Sequence, residues 1–273
     1  MAARTIQDPR DRLATILVAP LMTCSARLPV YTLLIAAFIP HTTVMGMFNL
    51  GGVVLFGLYV AGIVGALIVA YVMKHLRSDR REHALMLELP SYRLPYPRDI
   101  LIGLWERARM FMVRVGKIIL SLTVILWILS TYPTPPADWV GTAIDYSFAG
   151  RIGHAMEWLF APIGFNWQIC VALIPGLAAR EVAVSALGTV YAISAATDDA
   201  SSQLLPIISS QWSLATGLSL IAWYIFAPQC LATLAVMHRE TNSWGVVATA
   251  VVYLFGLAYL ASFLTFQIAS LVT

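Results

Sequence analysis

Apolar residues dominate the chain in long runs that short polar stretches separate. Asn49–Met73 is an uninterrupted apolar run of about 25 residues, long enough to cross roughly 30 Å of hydrocarbon as a helix. A second uninterrupted span is predicted at 244–269. Gly57, Ala61 and Gly65 fall four residues apart on the first run. This spacing predicts a face of small residues against which another helix packs closely.

Three further apolar segments are interrupted by proline or glycine, and each interruption lies beside a cysteine or a charged residue. An unpaired backbone N–H or C=O group costs several kcal/mol in hydrocarbon, so irregular backbone survives only inside protein or along a watery cavity. Transporters build ion sites from such discontinuous helices. The pattern therefore indicates a carrier or channel. The segments with their interruptions are 13–39 with Pro20–Pro29, 166–195 with Pro175–Glu181, and 211–237 with Phe226–Cys230.

Residues 98–131 predict one long helix. Its first half is amphipathic and suits the membrane surface, and its second half, about 118–132, is long and apolar enough for a span. Ten of the seventeen Lys and Arg residues lie between Lys74 and Lys117, so the positive-inside rule places this stretch in the cytoplasm. The N-terminus would share that side, the 133–165 loop would be external, and the orientation of later spans stays open.

The composition agrees with a membrane protein. Of the 273 residues, 59% are hydrophobic and 11% are charged, and the mean hydropathy is +0.78. A soluble domain carries roughly 25% charged residues. We therefore predict an all-α polytopic integral membrane protein with discontinuous helices. No segment predicts a soluble domain, and we expect no nucleic acid among the partners.

Glu181 is the most conspicuous charged residue. A carboxylate among apolar neighbours in a membrane segment is costly unless it is paired or hydrated. Arg180 is adjacent in sequence, but consecutive residues on a helix point about 100° apart, so the two need not form a salt bridge. Either both residues lie near a polar path, or both tie the broken helix to its neighbours by capping freed backbone groups.

Two of the three cysteines lie in interruptions. Cys24 has hydroxyl neighbours that include Ser25, and Cys230 directly follows Gln229. Sulfur ligands favour soft or borderline ions such as Cu(I), Zn²⁺ and Fe²⁺, and residues far apart in sequence can meet at one pore. Free cysteines are also common as small buried hydrophobes, and Cys170 in its apolar run fits that alternative best.

Motifs of hydrolytic chemistry are missing from the sequence. It contains neither the G-x-x-x-x-G-K-S/T phosphate loop nor the G-x-S-x-G elbow. Gly116-Lys117 is followed by isoleucine and lacks the required hydroxyl. We therefore expect a transporter and not an enzyme.

At its interruptions the chain resembles the membrane part of the ferrous iron transport protein B family. The resemblance covers essentially the whole chain, and three long motifs occur in the family's order. They are the central motif Thr23-Cys-Ser-Ala-Arg-Leu-Pro-Val-Tyr31, the second gate motif Ile174-Pro-Gly-Leu-Ala-Ala-Arg-Glu-Val182, and the late cysteine motif Phe226-Ala-Pro-Gln-Cys-Leu-Ala-Thr233 followed by Arg239-Glu-Thr241.

The resemblance implies a multi-pass protein of the bacterial inner (cytoplasmic) membrane that takes part in moving Fe²⁺ across it. Fe²⁺ is expected as the transported ion, without a permanently bound cofactor, and GTP would act only through the family's G domain. The residues expected along the path are Cys24, Cys230, Ser25 and Gln229. The motif residues expected to build the interruptions are Arg27 and Pro29 in the central motif and Pro175, Gly176, Arg180 and Glu181 in the gate motif.

Nothing in the sequence matches the family's G domain or its first gate, so the chain resembles the C-terminal half of such a transporter. We expect residues 1–132 to form the central membrane region, with a basic loop at 74–97 and a surface helix at 98–117. Residues 133–273 would form the second gate-type domain. Expected partners are the lipid bilayer and either a chain that supplies the G domain and first gate or further copies of this chain. Two alternatives stay open: a non-autonomous subunit or fragment that needs such a partner, and a gate-type carrier of another solute.

Overall fold

Twelve α-helices make up most of the described part of the chain in the computed structural model. The structure describes residues 6, 8–39, 43–44, 48–76, 96–134, 136, 143–178, 180, 182–191, 200–228 and 230–272. The first six helices are α1 (Pro9–Val18), α2 (Leu28–Phe38), α3 (Leu50–Leu76), α4 (Pro97–Thr131), α5 (Ala143–Tyr146) and α6 (Phe148–Phe160). The other six are α7 (Trp167–Ala178), α8 (Val182–Val190), α9 (Ala200–Gln211), α10 (Leu214–Phe226), α11 (Leu231–Thr241) and α12 (Trp244–Val272).

Strand structure in the described residues is confined to one small hairpin between α2 and α3. The two-residue strands β1 (Thr43–Val44) and β2 (Phe48–Asn49) pair in antiparallel register. The Asn49 side chain then accepts the N–H of Gly51 at 3.0 Å, which satisfies one of the donors that the start of a helix leaves free. The remaining regular structure is helical, and this confirms the predicted all-α class.

The described helices include several that can cross a membrane. Three stretches, Arg10–Phe38, Leu50–His75 and Trp244–Leu271, are long and apolar enough. Two bent helix pairs, α6 with α7 and α9 with α10, raise the possible number to five. Helices α3 and α12 contain 27 and 29 residues, so each is about 40 Å long at 1.5 Å per residue. The two uninterrupted spans predicted from the sequence are confirmed as helices.

Helix α4 is the long helix predicted at 98–131. It contains 35 residues and begins at Pro97, where a residue without an N–H costs nothing because that donor has no helical partner. Leu101, Leu104 and Trp105 are exposed in its first half. This exposure is what contact with lipid at a membrane surface requires.

All three predicted interruptions are present. The first lies between α1 and α2, the second between α7 and α8, and the third between α10 and α11. Each flanking helix is only 9 to 13 residues long, so the backbone leaves helical geometry partway through the apolar segment.

One sharp turn was not predicted. The sequence predicts a loop at 133–165 that contains a short amphipathic stretch through Trp158. That stretch is the helix Phe148–Phe160, and its bend of 101° into α7 is the feature that the sequence does not predict. Ser147 caps its start by accepting the Gly150 N–H at 3.3 Å. Gly164, with φ of +80°, ends the turn that follows. A positive φ suits glycine, so this one residue allows the chain to reverse.

The interior is built around α10, most of which is buried. Ser262 Oγ on α12 donates to the Ser219 carbonyl at 3.0 Å, and Ser219 Oγ donates to the Ile163 carbonyl at 2.7 Å. Small hydroxyl residues allow helices to approach closely and supply hydrogen bonds that lipid cannot replace. Aromatic rings fill the space beside them, namely Phe160, Phe165, Trp223, Phe255 and Tyr259.

The packing face of α3 is offset from the predicted one. A Cβ added to Gly65 would lie 2.7 Å from the Phe226 ring, and one added to Gly62 would lie 2.7 Å from Thr23 Cγ2. Gly57 and Ala61 are exposed instead. Within this chain, Gly65 packs as the spacing predicts, and the three-residue step brings Gly62 inward in place of Ala61.

Replacing Gly164 tests the turn between α6 and α7. In Gly164→Ala the new Cβ would clash with the Phe266 ring, and alanine would have to adopt a φ of +80°. We expect a loss of about 2–4 kcal/mol from combined strain and overpacking, measured as a lower thermal unfolding temperature in detergent. Gly256→Ala is the matched control, because nothing lies within 4 Å of its added Cβ. Equal unfolding temperatures for the two variants would contradict this description of the turn.

Candidate functional site at the helix breaks

The first break runs from the end of α1 to the start of α2. Pro20 lies in a short 3₁₀ turn, after which Cys24 is extended, with φ of −125° and ψ of 159°. A second 3₁₀ turn, Ser25–Arg27, leads into α2, where Pro29 occupies the first turn. Cys24 is half-buried, whereas Ser25 and Pro29 are exposed. The break therefore presents a sulfur and a hydroxyl group on irregular backbone.

The second break follows Pro175 and Gly176, both buried in α7. Proline lacks an N–H and so removes one helical hydrogen bond. A Cβ added to Gly176 would lie 3.1 Å from the Tyr224 hydroxyl and 3.2 Å from Ala183 Cβ. Glycine at this position lets α7 approach both α10 and α8. Arg180 lies just beyond, in the gap before α8.

The third break follows the end of α10 at Phe226. Ala227 and Cys230 both have extended backbone, and Cys230 precedes α11 as its N-cap. Its carbonyl accepts the N–H of Thr233 at 3.0 Å. Its Sγ lies 3.2 Å from Thr233 Oγ1. Cys230 is half-buried, so a thiol and a hydroxyl group lie together at the start of this helix.

Arg180 joins the second break to the third. One guanidinium nitrogen donates to the Tyr224 carbonyl at 2.7 Å, and the other donates to the carbonyls of Ala227 at 2.7 Å and Pro228 at 3.0 Å. The last carbonyls of a helix have no helical partners and carry the negative end of its dipole. Arg180, which is only 3% exposed, supplies donors and positive charge to that end. The capping role proposed for this residue is thus its structural role here.

The first break meets the third on neighbouring positions of α3. Gly62 lies against Thr23, and the position of its added Cβ is 4.0 Å from Arg27 Nη1. One turn further along the same helix, Gly65 lies against Phe226 at the end of α10. A single turn of α3 thus contacts both the first and the third break.

Electrostatic interactions also link the first break to the second. Arg27, Tyr31 and Cys24 of the first break all interact electrostatically with Arg180 of the second. Arg180 is also bonded to the third break, so the first break lies within electrostatic reach of a group that the second break supplies to the third. We call this convergence the break junction; it comprises Cys24, Arg27, Tyr31, Arg180 and Tyr224, together with the third break, in which Cys230 follows Pro228 by two residues.

Arg27 and Tyr31 form an unusual pair within the break junction. Both are 0% exposed. None of the three guanidinium nitrogens of Arg27 has a hydrogen-bond partner, and neither does the Tyr31 hydroxyl. Sequence reasoning assigned Arg27 to the central motif without a partner and gave Tyr31 no role. The hydrophobic neighbours of Tyr31 in the sequence gave no signal that its hydroxyl would be buried.

Two predicted site residues, Glu181 and Gln229, lie outside the described residues. Cys170 is fully buried in the apolar core, as its sequence setting indicated. Among the described residues, no group of three or more His, Cys, Asp or Glu side chains has an arrangement that could hold a metal ion. The cluster of His154 with Asp145 at 2.7 Å and Glu157 at 3.4 Å links α5 to α6 by ion pairing.

Broken helices that meet at a buried polar junction define a polytopic membrane protein of the gate type. Two family models match the chain: Gate, described as nucleoside recognition, at residues 112–244, and ferrous iron transport protein B C terminus at residues 55–107. The chain belongs to the ferrous iron transport protein B (FeoB) family and corresponds to its C-terminal part.

Curated relatives named Fe(2+) transporter FeoB support this assignment. The protein from Leptospira interrogans is 36% identical over 98% of this chain and 40% of its own length. Those from Leptospira biflexa and Staphylococcus aureus are each 34% identical over 99% of this chain, covering 41% and 38% of their own lengths. The chain thus spans about 40% of the relatives that it matches. No solved structure shows a significant match.

Replacing Arg180 tests whether it holds the second and third breaks together. In Arg180→Gln the three carbonyls lose a charged donor but stay buried, so we expect a loss of about 3–5 kcal/mol. Arg180→Lys keeps the charge without the planar fork and should lose part of that stability. The measurement is the thermal unfolding temperature of the purified chain.

Arg239→Gln is the matched control, since Arg239 is an exposed residue of α11. Hydrogen exchange at the start of α11 should rise in Arg180→Gln and stay unchanged in the control. An unfolding temperature for Arg180→Gln that equals the control value would rule out the capping role.

Proposed function

We propose that the chain forms the membrane path by which Fe²⁺ crosses the bacterial cytoplasmic membrane, as the C-terminal part of an Fe²⁺ transporter. The observation that carries this proposal is the meeting of two cysteine-bearing breaks on neighbouring turns of α3, the first through Thr23 and the third through Phe226, with Arg180 bonded to the third. Relatives that match nearly the whole chain are named Fe(2+) transporters. Irregular backbone inside a membrane protein is the setting in which transporters place their ion sites.

The proposed ligands are few and mixed. Cys24 and Cys230 supply soft sulfur ligands, which suit a borderline ion such as Fe²⁺. Thr233 Oγ1, 3.2 Å from the Cys230 sulfur, and Ser25 supply hydroxyl oxygens, and Gln229 supplies an amide oxygen. A path must bind its ion weakly enough to release it. A small ligand set on half-buried residues meets that need better than a closed tetrahedral site.

Positive charge near a path for Fe²⁺ has to be offset by negative charge. Arg180 directs its positive charge into the carbonyl end of α10, where the helix dipole partly offsets it. We propose that Glu181, next to it in sequence, contributes negative charge near the path. Pro175 and Gly176 shape the break, and Arg27 and Pro29 shape the first one.

The proposed activity is transport and not catalysis. GTP would act through a G domain that a partner chain or a longer protein supplies together with the first gate. Such a partner, or further copies of this chain, would complete the path. The inner membrane is the proposed location, with the basic residues around α4 in the cytoplasm.

A second candidate function is a gate-type carrier of another solute. The Gate model that matches residues 112–244 is described as nucleoside recognition, and this description is the observation in its favour. The two cysteines at the breaks favour a metal ion instead, because soft sulfur ligands bind metal ions and a nucleoside does not require them.

Replacing the cysteines tests the proposed path. In Cys24→Ser and Cys230→Ser we expect initial Fe²⁺ uptake to fall severalfold, because oxygen is a harder ligand than sulfur. Uptake is measured anaerobically in proteoliposomes that contain the chain, alone and together with a chain that carries the G domain and first gate. Zn²⁺, Mg²⁺ and adenosine serve as competitors.

Cys170→Ala is the matched control, since Cys170 is buried in the apolar core; it should transport normally. Equal uptake and metal selectivity in all variants would remove the cysteines from the mechanism. Competition by adenosine, without Fe²⁺ uptake in either arrangement, would favour the nucleoside alternative.

A further inference from the structure

The Arg27 guanidinium lies buried in the break junction without a partner. Its side chain is 0% exposed, and its three nitrogens make no hydrogen bond. A guanidinium group has five N–H donors, accepts no hydrogen bond, and remains charged in proteins. Burying such a group unpaired is strongly unfavourable. A hydrogen-bond acceptor is therefore expected beside it, and one that carries negative charge would stabilise it most.

The Tyr31 hydroxyl limits which chemical group can be the acceptor beside Arg27. Tyr31 follows Arg27 by four residues, and the two groups interact, yet no hydrogen bond of acceptable length and angle joins them. The hydroxyl is itself buried and without a partner. Two neighbouring donors that do not bond to each other can both be satisfied by one acceptor between them. A carboxylate fits best, because its two oxygens match the guanidinium fork and can also accept from a hydroxyl.

The charges around Arg27 also indicate a negatively charged occupant. Arg27 interacts electrostatically with Tyr31 and with Arg180. No described Asp or Glu pairs with Arg27. Arg180 is already engaged by backbone carbonyls, which are neutral. The Arg27 guanidinium thus has no counter-charge among the described residues.

We propose that Arg27 and Tyr31 form a buried carboxylate-binding site. The carboxylate has two possible sources, a small free carboxylate ion or the chain's own Glu181, which follows Arg180 in sequence and lies outside the described residues. Both sources present the same chemistry to the same two side chains. The site is independent of the identity of the transported solute, so it can be tested without iron.

The test compares thermal unfolding of the purified chain in sodium formate and in sodium chloride at equal ionic strength. The variants are the unmodified chain, Glu181→Gln, each of these with Arg27→Gln, and each with Tyr31→Phe. We expect formate to raise the unfolding temperature by a few degrees, as a ligand of the folded state does. Arg27→Gln should abolish that rise, and Tyr31→Phe should reduce it. Arg107→Gln, at an exposed position of α4, controls for general effects of losing an arginine.

Each result identifies the source of the carboxylate or overturns the site. A rise in the unmodified chain that needs Arg27 supports a free carboxylate ion. A rise only in Glu181→Gln, again dependent on Arg27, supports Glu181 as the occupant that formate replaces. If formate acts on neither background, or acts equally after Arg27→Gln, the site does not exist. Because iron is absent throughout, such a failure leaves the proposed transport function to its own test.

Discussion

The hydrogen bonds from Arg180 to the backbone carbonyls of the third break are the interaction on which the rest of the break junction depends. A helix that stops inside the membrane leaves carbonyl groups that neither lipid nor the helix can satisfy. One buried guanidinium provides donors to three of them at 2.7, 2.7 and 3.0 Å. The segment after α10 can therefore remain extended, and Cys230 can begin a new helix with its thiol half-buried.

Close helix packing makes this arrangement possible. Glycine at 176 brings α7 against α10, and glycines at 62 and 65 bring α3 against the first and third breaks. Any larger residue at these points would separate the broken segments. The same closeness concentrates charge, because Arg27 and Arg180 lie within electrostatic reach of each other. A carboxylate beside Arg27 would lower the repulsion that a divalent cation meets there, which connects the inferred anion site to the proposed ion path.

The sequence predicted the interruptions well because their causes are local. Proline at 175 removes a helical donor wherever it stands, and a charge such as Arg180 in an apolar segment has few permitted environments. Tertiary contacts were harder to predict from the sequence. The face of α3 that includes Gly62 depends on which segment packs against it, and the burial of Tyr31 depends on core residues that are distant in sequence. The turn at Gly164 was missed because one glycine among apolar residues carries no periodic signal.

The central claim is that one Fe²⁺ ion meets both cysteines at the break junction. X-ray absorption at the iron edge of the anaerobically loaded protein tests it most directly. The account predicts sulfur scatterers around iron, fewer of them after either Cys24→Ser or Cys230→Ser, and none after both replacements. Iron surrounded only by oxygen and nitrogen in the unmodified protein, or a sulfur signal that survives both replacements, would contradict it.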